Sequence, residues 1–517
     1  AMFEFHDETQ AARIQQFALS LQYLKIPPRV APDFSFGMGY PIFNFYAPAS
    51  YWITSAFHLV GLDIVASLKL SFLLSIIAAF VFSFFFLRNF FKFFPSLFGS
   101  VIYASSLYFA IDIFIRGNLA ETWFLSVIPL VFHVIYRNAK KSSPMTFAGT
   151  AFVLSVALTM HNLLSLIFLP IVVVYISFLD NKKRNLLALV FALLASSYFL
   201  LPLILEVSLT YAADVARETK YFLHFLCPYQ LWQSNWGFGG SAPGCAQDGM
   251  PFKIGKLQLT FFALGTLLFI ANIRNRLKTN AIGMFFLTLT IGSLFLTMYQ
   301  SQFVWDLTLP ISAFVQFPWR FISFSIIGIA YFAAFAGEKL NVPYRNIVLF
   351  GVILGVLIIN GKYFDRPQID KKKYEQTYLS KEYIRNVAAY RIPEYLPRSA
   401  YYDEWKQLED RPQLLYNDDI TTLTPFHKTV TVPAGNWIKL PIHYFPTWIL
   451  KINNEAVVPK MFGENGQPIV RVERDSFVDI SYQQTTIERL ANGITIATVL
   501  FLTSLLKFPA LWKKMKA

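Results

Sequence analysis

The sequence predicts a polytopic α-helical membrane protein with a β-rich domain outside the bilayer, and three observations predict it. First, 55% of the 517 residues are hydrophobic and only 15% are charged, with a mean hydropathy of +0.45; soluble domains carry about 25% charged residues. Second, apolar runs close to the ~20 residues that cross a bilayer recur along the chain. Third, a stretch near the C-terminus alternates apolar and polar residues between turn signals, the pattern of antiparallel strands. The net charge of +14 raises nucleic acid as a partner, so its distribution has to decide.

Reading for spans places about eleven, near 64–87, 97–114, 122–136, 146–160, 163–179, 186–206, 257–273, 281–298, 318–336, 346–362 and 489–506. Alternate connections are net basic: RNFFK (88–92), RNAKK (137–141), NKKR (181–184), RNRLK (274–278), EKLNVPYR (338–345) and KKMK (513–516). Lys and Arg in short loops stay on the cytoplasmic side. The intervening set, which includes RGNLAE, the His161-Asn162 corner, the 207–256 loop and QFPWR, then faces out. The basic balance is a topology signal, and nucleic acid drops out as a partner. An odd number of spans ending inside begins outside, so residues 1–62 are expected beyond the membrane, with one N-terminal span missing ahead of Ala1-Met2.

Four blocks follow: an external first loop (1–62), a helical bundle (63–362) interrupted by the external 207–256 loop, an external domain (363–487), and a final span with a basic cytoplasmic tail (488–517). The first block opens FHDETQAARIQQF, residues 5–17, with His6, Asp7 and Glu8 ahead of any span. Ile14, Phe17, Ala18, Leu21 and Leu24 keep helical spacing, which predicts a helix lying on the membrane surface, apolar face down. Asp7 and Gln10 have the form of a capping box, and Glu8 suits the positive end of the helix dipole. A cap explains one carboxylate and leaves His6 and Glu8 over, so capping and chemistry are both open to Asp7. Residues 34–52, FSFGMGYPIFNFYAPASYW, hold eight aromatic side chains. Interfacial anchoring accounts for most of them. Gly37 and Gly39 permit unusual backbone angles or close approach to a ligand. Such a loop offers stacking faces for a sugar ring or an isoprenoid chain, with Tyr40, Phe45 and Tyr46 as the candidates.

In the bundle, Lys69, Asp112, Arg116, Glu121, His161 and Glu206 fall near the outer ends of their spans, where ionisable groups ask for a function. His133 is the exception and reads as a packing residue. A secondary transporter gathers polar groups at the midplane on broken helices in two matching halves, a pattern absent from this sequence. Cys227 and Cys245 share the 207–256 loop. An oxidising compartment permits a disulfide there, with two free thiols as the alternative, because spacing alone does not set the Cα separation. No Cys/His set has zinc-site spacing. In the external domain, KTVTV, WIKLPIH, TWILKIN, PIVRVE and FVDISY alternate around turns at Pro433–Gly435, Asn453-Asn454 and 463–466. They predict a small β-sandwich.

HDETQAAR and PPRVAPDFSFGMGYPIFNFYAP, followed by RGNLAE, His161-Asn162, QFPWRF and the EYLP at 394–397, resemble bacterial integral membrane proteins filed as 6-pyruvoyl-tetrahydropterin-synthase-related. Their architecture looks like the GT-C glycosyltransferase superfamily, and the resemblance covers most of the membrane block. It implies an inverting transfer of sugar from a polyprenyl-phosphate-linked donor to a glycan, lipid or protein acceptor. The implied setting is the outer face of the bacterial cytoplasmic (inner) membrane, in a multi-pass protein embedded in the lipid bilayer. It also implies a catalytic carboxylate in the first external loop, a position that Asp7 matches, with Glu8 its rival. Arg29, Arg116 and Arg320 are the implied partners of the departing phosphate, and His161 of phosphate or acceptor. Each arginine has interfacial snorkelling as its alternative, and His161 has the satisfaction of backbone groups. Glu121 either shares a divalent cation, Mg or Mn, with Asp7 or forms a salt bridge to Arg116. The alternative function is a non-catalytic lipid or polysaccharide transporter, or a cell-envelope assembly factor.

Overall fold

The computed structural model describes residues 1–517 except 219, 240–243, 245–247, 273–276, 310–311, 313–314, 401–420, 464–465, 509–511 and 513–517. A helix stands at each expected span position. Among the described residues, five are long and apolar enough to cross a membrane: Ile64–Leu87, Phe93–Arg116, Leu119–Lys140, Pro318–Lys339 and Thr486–Lys507. The span expected at 186–206 is a broken pair, Lys182–Ala195 and Ser197–Leu209, bent by 70°. Pro144–Leu158, Asn162–Ser177, Lys256–Asn272, Ala281–Leu296 and Arg345–Gly361 are apolar but only 10–17 residues long, short of a ~20-residue crossing. Length and composition therefore support five spans, or six with the bent pair, and do not confirm the expected eleven.

Helix starts are encoded locally. Asp63, Asn118, Ser143, His161 and Thr485 each accept, through the side chain, the backbone N–H three residues on. That contact satisfies donors every helix N-terminus leaves unpaired. Thr485 and Glu488 close a reciprocal box, which starts the last long helix. Packing is also written in the pattern. Ser67, Ser71, Ser75, Ala79 and Ser83 recur at every fourth position of Ile64–Leu87 and are all buried. Such a stripe lets a neighbouring helix approach closely. The neighbour is Leu119–Lys140, whose Trp123 Nε1 donates to Ser71 Oγ at 2.9 Å and whose Ser126 Oγ donates to the Ser75 carbonyl at 2.7 Å.

The basic loops meet at one end of this bundle. Lys140 pairs with Asp180 at 3.0 Å, and Lys92 with Glu338 at 3.9 Å. Glu121 and Arg320 sit at the opposite ends of Leu119–Lys140 and Pro318–Lys339. A 22-residue helix separates the two ends by about 33 Å.

The C-terminal region forms two antiparallel sheets. Thr421–Thr424, His427–Val432, Ser476–Tyr482, Trp448–Ile452 and Glu455–Val457 lie side by side in that order; Trp437–Lys439, Pro468–Arg471 and Met461–Phe462 make the second sheet. Ser476, Val478, Ile480 and Tyr482 turn inward, as period-two alternation requires. Asn453 and Asn454 take φ of +51° and +71°, the geometry of a tight hairpin turn.

Three expectations for the first loop are corrected. The helix Gln10–Gln22 does not lie on a surface: Ala11, Ala12, Arg13, Ile14, Gln16 and Phe17 are all buried, so protein covers both its apolar and its polar face. Asp7 does not cap it; Thr9 holds that position and no side chain caps the helix. Gly39, at φ +87°, meets protein and not a ligand, since a Cβ there would come 2.9 Å from the Trp448 ring. Lys428 Nζ donates to the Gly37 carbonyl at 2.9 Å, and Ser35 Oγ lies 2.6 Å from His443 Nε2. The glycine-jointed loop is the dock for the β domain.

Candidate functional site

The first seven residues are threaded onto the bundle by backbone pairing. Met2–Phe3 pairs antiparallel with Gln368–Ile369. His6 N then donates to the Ile115 carbonyl at 3.0 Å, and Asp7 N to the Arg116 carbonyl at 2.8 Å. Gly117 makes this possible. It sits at φ +68°, and a Cβ there would fall 2.1 Å from the Phe5 ring, a space only glycine leaves open. Asp7 is thereby seated beside RGNLAE by main chain alone, whatever its carboxylate does.

RGNLAE itself is an ionic knot. Residues Asp112–Arg116 form one π-helical turn, a distortion frequent at functional sites. Arg116 ion-pairs with Asp112 and, at 2.8 Å, with Glu121. Its guanidinium carbon stands 4.4 Å from the centre of the Trp319 ring. Glu121 also accepts from Tyr108 at 2.7 Å, Ser323 at 3.1 Å and Asn118 at 3.2 Å. Both carboxylates are fully buried. The salt-bridge alternative for Glu121 is the one the structure displays. Its oxygens already take four donors, and Asp7 is hydrogen-bonded to His6. Among the described residues no group of three or more His, Cys, Asp or Glu could hold a metal. The residues present therefore do not fit a shared divalent cation.

Asp7 keeps about a third of its side chain exposed, 32%, with His6 Nδ1 3.3 Å away and the His6 ring stacked on Phe238. Burial alone would raise its proton affinity. The His6 hydrogen bond and the charges of Arg13 and Arg116 outweigh burial and hold the carboxyl below its ordinary value. Glu8 points elsewhere and pairs with Arg391 at 3.3 Å.

Two buried cations, one beside Asp7 and one beside Glu121, have no carboxylate partner of their own among the described residues. Arg13 is buried, donates to Tyr51 at 3.2 Å and lies over the Tyr46 ring at 4.9 Å. Arg320 is buried, donates to the Val315 carbonyl at 2.8 Å and to Gln316 at 3.2 Å, and lies over Phe317. Neither has an ion-pair partner among the described residues, and the Nε of each is buried with no acceptor. Tyr46 and Glu394 both lie within electrostatic reach of Arg13 and Arg320. His161 joins them as a neutral ring: burial drives its proton affinity down to about 3. Its Nδ1 accepts from Leu164 N, so the proton of the neutral ring sits on Nε2. Asn162 beside it donates to the Phe45 carbonyl at 3.2 Å.

Other expected residues lie elsewhere. Arg29 is fully buried and donates to Asn44, the Tyr198 carbonyl and Asn492 at 2.8–2.9 Å, with Glu488 at 3.9 Å. It ties the first loop to the last long helix and contacts none of the groups around Asp7. Tyr40 is fully buried, its hydroxyl donating to the Ile392 carbonyl and accepting from Tyr395 N. Phe45 is buried against Tyr395. Both are corrected from stacking faces to packing residues, and Tyr46 is the partly exposed aromatic that remains. Cys227 is disulfide-bonded; Cys245, its expected partner, lies outside the described residues.

Arg13 and Glu394 were missed by sequence reasoning. Arg13 falls on the polar side of an amphipathic pattern, where solvent is the default partner. Glu394 stands in EYLP, a motif whose order was noticed and whose carboxylate was not.

No protein-family model matches the chain, and no curated protein does. Among solved structures it is similar to the arabinofuranosyltransferase AftD from Mycobacteria, at 14% identity and a TM-score of 0.46, over 73% of this chain and 26% of that one. Two structures of an AftD mutant, classes 1 and 2, follow at 13% and 12% identity and TM-scores of 0.43 and 0.39, each over 70% of this chain. The chain spans about a quarter of the length of each.

Proposed function

We propose that the protein is a membrane glycosyltransferase that moves a sugar from a polyprenyl-phosphate donor to an acceptor on the extracytoplasmic face, with inversion. The observation that carries this reading is the combination of a partly exposed carboxylate, Asp7, with two buried arginines that have no carboxylate partner among the described residues. A buried cation without a counter-charge is costly, and an anionic ligand removes that cost. A phosphate also matches the planar fork of Arg, whose two parallel N–H groups reach two oxygens. Arg116 is less suited, because Asp112 and Glu121 already neutralise it. Four of the basic loops gather at the far end of the bundle, which supports an outer-side site by the positive-inside rule.

The chemistry follows from these positions. An acceptor hydroxyl attacks the anomeric carbon from the face opposite the phosphate. The carbon–oxygen bond to phosphate breaks, and the lipid phosphate leaves with the electron pair. Arg13 and Arg320 stabilise the negative charge that develops there. The hydroxyl proton goes to Asp7. A carboxylate held below its ordinary proton affinity is ionised throughout the neutral range. It accepts the proton late, once the attacking oxygen has begun to bond and its proton has become acidic. His161, neutral and protonated on Nε2, can donate a hydrogen bond but not a charge.

The test uses the full chain in lipid nanodiscs with polyprenyl-phosphate-linked monosaccharides, following release of polyprenyl phosphate. Asp7→Asn is expected to lower turnover by roughly 10²–10⁴-fold in a chain that remains folded, its unfolding temperature falling only by the small stabilisation the ionised carboxylate supplies. Wild-type turnover in that variant overturns the role of Asp7. A scaffold or transporter predicts no turnover in either chain.

A further inference from the structure

Three lysines gather at one end of the bundle, outside the ionic groups described above, and aromatic rings are what they touch. Lys253 Nζ lies 5.7 Å from the centre of the Trp236 ring and 5.3 Å from that of Tyr363. Lys362 Nζ stands 5.1 Å from the same Tyr363 ring, and Lys256 Nζ 5.7 Å from Trp232. Trp236 and Tyr363 meet edge to face at 4.7 Å, which joins these platforms. Among the described residues, no carboxylate lies within ion-pair distance of the three ammoniums, and none of them donates a hydrogen bond. Burial, followed by the charges of Lys362 and Lys256, holds the proton affinity of Lys253 below its ordinary value. The three charges are therefore close enough to repel one another.

Hydrogen bonds fix where this cluster sits. Gln258 Nε2 and Asn360 Nδ2 both donate to the Ser105 carbonyl, at 3.1 and 3.0 Å. That shared acceptor pins the start of Lys256–Asn272 to the end of Arg345–Gly361. At the other end of the second helix, Arg345 donates to the Glu338 carbonyl, and Glu338 pairs with Lys92 among the basic loops. The cluster thus stands at the end opposite those loops, where the positive-inside rule leaves few cations. Snorkelling explains a lysine that spreads its charge into water. It does not explain a partly buried Lys253 that shares one ring with Lys362. Contact with ring faces offsets part of the lost hydration but leaves the mutual repulsion in place. An anion removes it. Along the two helices, away from the lysines, apolar side chains are exposed: Leu264, Leu267 and Ile270 on one, Leu354, Leu357 and Ile358 on the other. Trp232 is exposed too, as an aromatic at a membrane boundary is. The molecule that complements this surface carries a negative head at the lysines and apolar chains beside the helices.

We propose that Lys253, Lys256 and Lys362 bind the phosphate of an anionic phospholipid in the outer leaflet, whose acyl chains lie along the two helices. Phe238, from the same loop as Lys253, stacks on His6, so the headgroup is held by the loop that borders the Asp7 segment. The test is native mass spectrometry of the full chain released from nanodiscs of equal phosphatidylglycerol and phosphatidylcholine, which reads lipid retention without sugar transfer. The wild-type chain is expected to keep phosphatidylglycerol in preference to phosphatidylcholine. Lys253→Gln, Lys256→Gln and Lys362→Gln together should weaken that retention by about 100-fold, roughly fivefold for each charge near an anionic headgroup. Lys253→Arg, Lys256→Arg and Lys362→Arg together should keep it. Unfolding temperature is measured for every chain. No preference in the wild type, or a folded triple-glutamine chain that retains phosphatidylglycerol as the wild type does, overturns the proposal. Loss of retention in the arginine variant also overturns it, because the effect would then belong to packing and not to charge. Glycerol phosphate in the buffer should leave the lipid in place; displacement at equal concentration would mean a soluble phosphate ligand and would sink the lipid assignment.

Discussion

Residues 5–8 show how neighbouring side chains are given different tasks by their surroundings. Phe5 fills the space above Gly117, His6 stacks on Phe238, Asp7 faces Arg13, and Glu8 is tied to Arg391. The pH dependence of Asp7 has a definite sign. Its folded proton affinity lies below the ordinary 3.8, so its ionised form stabilises the fold above that value and the contribution disappears as pH falls through the folded one. The difference in unfolding temperature between wild type and Asp7→Asn should be constant from about pH 8 to 5 and shrink below about pH 4. A difference that instead changes around neutrality would mean another group dominates. At this scale the sequence revealed that carboxylates and arginines collect at one boundary. It did not reveal their pairing. RGNLAE and the turn before it contain their own counter-ions, so Arg116 binds Glu121 and Asp112, and the cations without a carboxylate partner among the described residues are Arg320 and Arg13, the latter a residue with no motif to mark it.

At the scale of elements, turns and caps were the most legible features, because each needs only a few adjacent residues. Asn453-Asn454 makes its hairpin, and the strands foreseen by alternation fall within the two sheets. The helix at 10–22 shows the opposite case. Its periodicity was read correctly as helical and wrongly as interfacial, since amphipathic spacing says which face is apolar and not what covers the polar one. Here Tyr51 and Asp33 cover it, bonding Gln10, Arg13 and Gln16. The element that seats the Asp7 segment depends on one residue. Gly117→Ala should destabilise the protein by about 1–3 kcal/mol, from a left-handed backbone and the lost Phe5 packing. It should also lower turnover, because Asp7 N is bonded one residue away at Arg116. Unfolding in detergent and donor turnover check it together; a variant normal in both would show that Asp7 is held by something else.

Across the whole molecule, first and last parts of the chain are joined around Arg29. Asn44 from the first loop and Glu488 from the last long helix meet at 2.6 Å, and Arg29 bonds Asn44 and Asn492. No local pattern announces such a contact, since its members are more than 400 residues apart. Arg29→Met leaves Glu488 buried beside an apolar chain, and about 3–5 kcal/mol of stability should be lost. Adding Glu488→Gln should restore part of it. Sugar transfer per folded molecule should not change in Arg29→Met, and a raised donor KM would return Arg29 to the phosphate site. Span counting shows why global features are harder to read. Each apolar run is a helix, yet several are too short to cross alone, and one bends by 70°.

The strand Met2–Phe3 has a consequence for biosynthesis. Its partner strand, Gln368–Ile369, emerges from the ribosome some 366 residues later, which at about 5–20 residues per second is a wait of roughly 18–73 s. Until then the Asp7 segment is held by its bonds to the Ile115 and Arg116 carbonyls, without the strand that fixes Met2–Phe3. A nascent chain halted short of residue 368 would have most of its helices and an Asp7 segment anchored on one side only.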